Sequence, residues 1–285
     1  MVVSIAEEYY DMETDIGKLE DLARTIRRDI VTMIHLSGDG HPGPALSVAD
    51  IVTALYFGIM QVDPSRPRWK DRDRMILSKG HACPAVYAAL ARKGYYSPDV
   101  YPTLRHMDSM LQGHPDVQKT PGIDATAGSL GNGISIGLGM ALAARLQGKA
   151  YLTYVVTGDG ELNEGVIWEA LMAAKHHDAG NLIVLVDNNE YQSGGAVRDV
   201  SGILPLLPKV ESFGWHCQEV DGHDIAEILQ AVRAAQAVTD TPSMIVAHTR
   251  KGKGVPFMEG NNAWHKRAPT KEEYQEAMAA LGGVE

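Results

Sequence analysis

The stretch YLTYVVTGDGELNEGVIWEALMAAKHHDAGNLIVLVDNNEYQ, residues 151–192, decides the fold. Residues 151–156 are a short apolar run that reads as a strand, residues 164–177 place apolar side chains at helical spacing, and residues 181–186 form a second apolar run. Strand, helix and strand in that order make a βαβ unit, whose two strands are parallel and whose crossover is right-handed. The loops at 158–163 and 187–192 then share the carboxyl edge of the sheet, where open α/β sheets bind ligands.

Working outward, the same alternation continues. Leu19, Leu22, Ala23, Ile26, Ile30, Met33 and Ile34 recur at helical spacing and stop at Ser37-Gly38-Asp39-Gly40, a glycine-rich helix end. Ser47 with Asp50 has the pattern of a capping box, predicting a second helix through Ile51, Leu55, Tyr56 and Ile59. Residues 75–78 read as a strand running into Gly80-His81 and a helix containing Val86, Leu90 and Ala91. Residues 218–220 and 244–248 read as strands around a helix at 225–236. Thr270 with Glu273 predicts a capped last helix that finishes at Gly282-Gly283. The expected class is α/β, a parallel sheet flanked by helices, as one domain over residues 1–285.

Composition narrows the function. Hydrophobic residues make up 45% and charged residues 22%, an ordinary globular balance that excludes disorder and collagen. A net charge of -10 repels phosphate backbones and acidic membrane surfaces, so neither nucleic acid nor membrane is an expected partner. Cys83 and Cys217, far apart and without CxxC spacing, suggest neither a disulfide framework nor a zinc site, which makes the cytoplasm the expected compartment. The acidic N-terminus lacks the basic and apolar regions of a signal peptide, and the longest apolar run, 133–144, is too short to span a bilayer.

Gly158-Asp159-Gly160-Glu161-Leu162-Asn163 nearly satisfies GxGxxG, with Asn163 in place of the third glycine. Two acids where a pyrophosphate would lie are repulsive to it, and a cation resolves the conflict. Mg²⁺ takes hard oxygen ligands and favours one or two carboxylates plus substrate phosphates. Asp159 is then the carboxylate ligand, the loop Asp187-Asn188-Asn189-Glu190-Tyr191 supplies amide and carbonyl oxygens, and the amides of Gly158 and Gly160 are expected to meet the phosphates.

GDG followed by NN resembles the thiamine diphosphate fingerprint. Gly40-His41-Pro42-Gly43, Leu77-Ser78-Lys79-Gly80-His81-Ala82, Gly113-His114-Pro115 and Ala263-Trp264-His265 occur in the order found in transketolase N-terminal regions, and Gly128-Ser129-Leu130-Gly131-Asn132-Gly133 resembles that family's cofactor-contacting loop. The resemblance spans about residues 15 to 270. It implies the diphosphate-module fold, thiamine diphosphate as cofactor, and Mg²⁺, or Ca²⁺ or Mn²⁺ in its place, held by Asp159, the Asn189 side chain and the Tyr191 carbonyl. It implies that His81, Ser129, Leu130, Gly158 and Gly160 contact the cofactor, with Leu130 packing on it.

The same resemblance assigns roles in ketol transfer. His41 and His265 go to the substrate's C3 hydroxyl region, His81 and His114 to its oxygens, and Glu164 to the cofactor's proton network. Singly, each of His41, His81, His114 and His223, all of which follow glycine, reads as a turn or surface residue. The ordered set changes that for all but His223, which is expected to be a structural turn. Transketolases of the usual kind carry a second module with the glutamate that serves the aminopyrimidine, and this chain ends before it. The implied assembly is a split transketolase with a separate C-terminal subunit, two copies of each, acting on sugar phosphates or related ketoses and aldoses. Two other readings are the α subunit of a 2-oxoacid dehydrogenase E1 component, which shares the fingerprint but not the histidine set, and a silent thiamine diphosphate-binding regulatory subunit.

Overall fold

The computed structural model describes residues 12–283; the reading made on residues 1–11 lies outside them. Asp15 caps α1 (Ile16–Ser37), which stops where Gly38 turns left-handed at φ 72°. Two short helices, α2 (Pro42–Ser47) and α3 (Ala49–Thr53), run into a π-helical turn at Ala54–Ile59. Then come β1 (Arg74–Leu77), α4 (Cys83–Lys93), α5 (Asn132–Leu146), β2 (Thr153–Gly158), α6 (Gly165–His176) and β3 (Leu182–Asn188). A small hairpin, β4 (Tyr191–Gln192) and β5 (Gly195–Ala196), precedes α7 (Val197–Val200) and α8 (Leu207–Ser212). The chain continues through β6 (His216–Asp221), α9 (Ile225–Ala237), β7 (Ser243–His248) and α10 (Lys271–Ala280).

The main sheet has the order β1-β2-β3-β7-β6, and every neighbouring pair is parallel. Its central strands are buried on both faces, which is why they read as continuous apolar runs. Side chains alternate between two cores: Tyr154, Val156, Ile183, Leu185, Ile245 and Ala247 meet the side holding α1, α4 and α9, whereas Val155, Val184, Val186, Met244 and Val246 meet the side holding α5 and α6. Among the described residues no helix is long and apolar enough to cross a membrane.

One expectation fails locally. Ser47 does not cap a helix; it ends α2, which begins at Pro42 because proline favours the first helical turn, and its hydroxyl donates to Asp187 at 2.6 Å. Asp50 is likewise no capping partner. It is buried, takes both guanidinium amines of Arg27, and is 2.7 Å from His223 Nδ1. His223 Nε2 accepts from the Arg250 amide at 2.7 Å, so the ring proton sits on Nδ1 and the histidine is structural, as its turn suggested.

Removing one partner of a buried ion pair strands the other charge. Asp50→Ala should therefore lower stability by about 3–5 kcal/mol, read from urea unfolding; a loss under about 1 kcal/mol would show that Arg27 finds another way to be solvated.

A candidate active site at the carboxyl edge of the sheet

Four neighbouring strands each deliver a polar group to one place. Lys79 and His81 follow β1, Asp159 follows β2, Asp187 is the penultimate residue of β3 with Asn189 just beyond the strand, and Thr249 and Lys251 follow β7. The hub is Asp187, which is fully buried. It accepts from Ser47 Oγ at 2.6 Å, from Asn189 Nδ2 at 2.9 Å, from Thr249 Oγ1, and from the Lys79 ammonium. Burial works to raise its pKa, but the touching ammonium and the donors outweigh it and leave the carboxyl below its ordinary value.

The hub fixes the neighbouring groups. With Nδ2 of Asn189 spent on Asp187 and Ser47, its Oδ1 faces the Tyr191 amide at 3.1 Å. Asp159 is 3% exposed; its carboxylate accepts from Gly160 N at 2.8 Å and from Glu190 N at 2.6 Å. Glu190 reaches that position only with φ at 65°, a left-handed backbone that a side chain disfavours. Burial and the charge of Asp187 push the Asp159 carboxyl up to about 7. Asp159, Asn189 and Tyr191 all line a cavity of about 480 Å³.

His41, His81, His114 and His265 line the same cavity. Ring centroids are 5.1 Å apart for His41 and His81, 5.6 Å for His41 and His265, and 5.5 Å for His81 and His265. Gly43 makes this grouping possible, since a Cβ there would lie 2.8 Å from the Trp264 carbonyl and 3.0 Å from Lys251 Cε. Its carbonyl accepts from Gly252 N at 3.0 Å, so the His41 loop is laid directly on the segment that carries His265. Burial comes first among the causes that hold these rings neutral. His41 is lowered to about 4, aided by Arg105 and Lys266, and His265 to about 4, aided by Lys251. His81 is lowered by burial and Lys79, and His114 by burial and Arg105.

The family model described as "Transketolase, thiamine diphosphate binding domain" matches residues 19–284. The chain belongs to the transketolase family. It corresponds to the N-terminal, thiamine diphosphate-binding part. Among relatives, it is 43% identical over 263 residues to the 6-deoxy-6-sulfo-D-fructose transketolase subunit SqwG of Clostridium sp. (strain MSTE9), covering 92% of this chain and 96% of that one. It is 40% identical to an apulose-4-phosphate transketolase subunit of Phocaeicola vulgatus, covering 92% and 93%. Among solved structures, Pichia stipitis transketolase superposes with a TM-score of 0.86 at 32% identity, over 93% of this chain but 40% of that one. Campylobacter jejuni transketolase gives 0.89 at 29% identity, over 95% and 43%. This chain thus spans about two-fifths of the length of those solved transketolases. The matches are to transketolases, and the 2-oxoacid dehydrogenase and silent-subunit readings gain no support from them.

The donor set fits a hard divalent cation. Among the described residues no group of three or more His, Cys, Asp or Glu gathers to hold a metal, whereas a buried carboxylate, an amide oxygen turned by Asp187, and a nearby main chain provide the mixed oxygen set that Mg²⁺ takes. Among the described residues no ammonium or guanidinium bonds to Asp159, and burial and the Asp187 charge raise its carboxyl against the opposing amides and Lys79.

Two sequence expectations are corrected here. The amides of Gly158 and Gly160 do not point to a phosphate: the first donates to Glu161 Oε2 at 3.1 Å and the second to Asp159. Glu161 does not oppose a pyrophosphate either. It is buried, and it holds the Gly131 amide at 2.7 Å and the Ser78 hydroxyl, tying the 128–133 loop to β1 and β2. A 3₁₀ turn, Gly160–Asn163, intervenes before α6. Gly158, Gly160, Leu130 and Glu164 line the cavity, with Leu130 37% exposed. Ser129 does not line it, although Gly128 does.

Sequence reasoning gave no role to Lys79, Asp187 or Lys251, although a charged residue within a few positions of a buried strand's carboxyl end is a detectable sign. Lys251 is 1% exposed, donates to Asn262 Oδ1 at 2.6 Å and lies 3.0 Å from His265 Nδ1.

The neutral, buried histidines make a pH prediction. The unfolded chain takes up protons below about 6.5, whereas His41 and His265 resist protonation until about 4. Stability is therefore lost as pH falls through that window. A His41→Asn, His265→Asn double variant should lose thermal stability less steeply between those limits; slopes equal to wild type would refute the description.

Proposed function

We propose that this chain is the thiamine diphosphate-binding subunit of a two-subunit transketolase, moving a two-carbon ketol unit from a ketose to an aldose. The carrying observation is the cluster of His41, His81 and His265 over the cavity that also holds Asp159 and Asn189. Relatives of nearly the same length are named subunits, which supports a separate partner. Those two act, by name, on a sulfonated and a phosphorylated ketose. The expected substrate class is therefore a sugar with an anionic end.

Thiamine diphosphate, when bound, supplies the nucleophilic carbon that carries the ketol unit. Asp159, the Asn189 side chain and the Tyr191 carbonyl would hold Mg²⁺ for its diphosphate. Lys79 and Lys251 place positive charge beside that position, and Leu130 offers an apolar surface. Ser129, Gly158, Gly160 and Glu164 remain secondary contacts, with Glu164 serving the cofactor's proton network.

His41 and His265, both neutral, differ in hydrogen bonding. An ammonium has only donors, so Lys251 makes Nδ1 of His265 the acceptor and puts the ring proton on Nε2. His265 thus donates a hydrogen bond to a substrate oxygen. His41, whose buried Nδ1 has no hydrogen-bond partner among the described residues, lines the cavity, and its imidazole takes the role of accepting the C3 hydroxyl proton. His81 and His114 hold further oxygens.

The partner is the C-terminal module, two copies of each subunit forming a cytoplasmic enzyme, with residues 1–285 acting as one domain. Exposed apolar side chains on two packed helices support this. α5 and α6 pack together, yet Leu146 is 89% exposed and Met172 54% exposed.

Purified chain with Mg²⁺, thiamine diphosphate, xylulose 5-phosphate and ribose 5-phosphate should show no turnover until a transketolase C-terminal subunit is added; robust transfer by the chain alone, free of host enzyme, would sink the split reading. In the assembled enzyme, Asp159→Ala should abolish Mg²⁺-dependent cofactor binding by calorimetry, and unchanged affinity would refute the metal site. His41→Ala and His265→Ala should each cut ketol transfer by about 10² to 10⁴ while sparing cofactor affinity, and wild-type turnover in both would make them structural.

A further inference from the structure

His41 and His114 arrive in the cavity on loops remote in sequence, and each loop has its own anchorage. The His41 loop leaves α1 with the Asp39 carbonyl held by Ser37 Oγ at 2.9 Å. Residues 103–112 close on themselves: Arg105 N donates to Leu111 O at 2.8 Å, Thr103 Oγ1 and Ser109 Oγ are 2.6 Å apart, and Gln112 Nε2 donates to Ser109 O at 2.7 Å. Within that closed loop Arg105 takes φ of 67°, left-handed backbone at a residue with a long side chain.

The reason lies in where the guanidinium goes. It crosses over Gly113, where a Cβ would sit 3.1 Å from Arg105 Cζ and Nη1, and it meets Asp39 Oδ2 at 3.0 Å. The pair therefore joins the residue two before His41 to the loop that ends two residues before His114. Its side chains are 27% and 44% exposed, and ion pairs at such exposure contribute little to stability. The left-handed backbone at Arg105 is a cost that so exposed a pair does little to offset, and Gly113 leaves the guanidinium its room. Geometry is the remaining return, because misplacing a reacting group by about 1 Å costs on the order of 10²-fold in rate.

We propose that Arg105 is a positioning residue for this site: its ion pair with Asp39, made across Gly113, braces the His114 loop against the His41 loop so that both imidazoles keep one registration over the cavity. The same cation contributes to lowering the pKa of both rings, consistent with its lying between them. The catalytic consequence rests on the transketolase reading, whereas the brace itself is a property of the chain.

The test uses Asp39→Asn, Arg105→Gln, their double variant and Arg105→Lys. In the assembled enzyme each of the first two should lower kcat by about 10- to 100-fold, the double should be no worse than the poorer single, and Arg105→Lys should recover part of the loss. Calorimetric affinity for Mg²⁺ and thiamine diphosphate should not move. Wild-type kcat in both singles, additive losses in the double, or a parallel fall in cofactor affinity would each overturn the brace. In the full chain without its partner, the imidazole NMR resonances of both His41 and His114 should shift in Asp39→Asn, a half-exposed change that leaves the Arg105 loop intact; movement of the His41 signals alone would overturn it. A wild-type assembly without ketol transfer would instead defeat the proposed function, and the NMR comparison would still decide the brace.

Discussion

A carboxylate with no access to water governs this site. Asp187 near the end of β3 is stable as an anion only because Lys79 reaches it from just beyond β1, Ser47 and Thr249 donate to it from two other segments, and Asn189 donates from two residues along. Each of those donors is held in one orientation as a result. The amide of Asn189 cannot turn over without opposing its oxygen to the carboxylate, the α2 segment is drawn onto the sheet edge through Ser47, and β7 is tied to β3 through Thr249. The Asn189 amide oxygen and the His41 loop are thereby positioned before any ligand arrives, which is the condition for electrostatic preorganisation.

Charge is distributed around that hub in a way that prepares the cavity for an anionic cofactor. Lys79 and Lys251 are almost completely buried beside it. Lys251 is lowered to about 8 by burial and by Lys79, with Asp159 and Asp187 opposing the shift. The lysines help keep His81 and His265 neutral, and neutral imidazoles are the ones able both to accept and to donate hydrogen bonds. Asp159 supplies the opposite imbalance, a carboxylate to which no cationic side chain bonds among the described residues. A diphosphate with a divalent ion would satisfy both sides, with Asp159 available to hold the ion and the ammonium groups to face phosphate oxygens.

Much of the architecture was legible because local rules and global fold agree. Residues 151–192 showed strand, helix and strand by periodicity, and the structure places them as β2, α6 and β3 with boundaries moved by one or two residues. Thr270 and Glu273 do form the capping box read from their spacing. Ser47 and Asp50 matched the same pattern and did not, because a hydroxyl and a carboxylate with strong tertiary partners, Asp187 and Arg27, are drawn to those instead of to a helix end. The hairpin β4–β5 was invisible to periodicity since each strand has only two residues.

The sequence by itself determined the alternating pattern that makes a parallel sheet, the loops that fall on its carboxyl edge, and, through an ordered set of short motifs, the family to which those loops belong. These are properties of neighbours along the chain, where spacing and side-chain type suffice. Only the tertiary structure decided which polar groups are spent internally and which face the cavity. Glu161 and the amides of Gly158 and Gly160 looked available and are occupied by one another and by Asp159, while Lys79, Asp187 and Lys251 carried no motif-level role and hold the centre. Hydrogen-bond partnership inside a protein depends on three-dimensional proximity and on exclusion of water, and neither is encoded at any fixed distance along the chain.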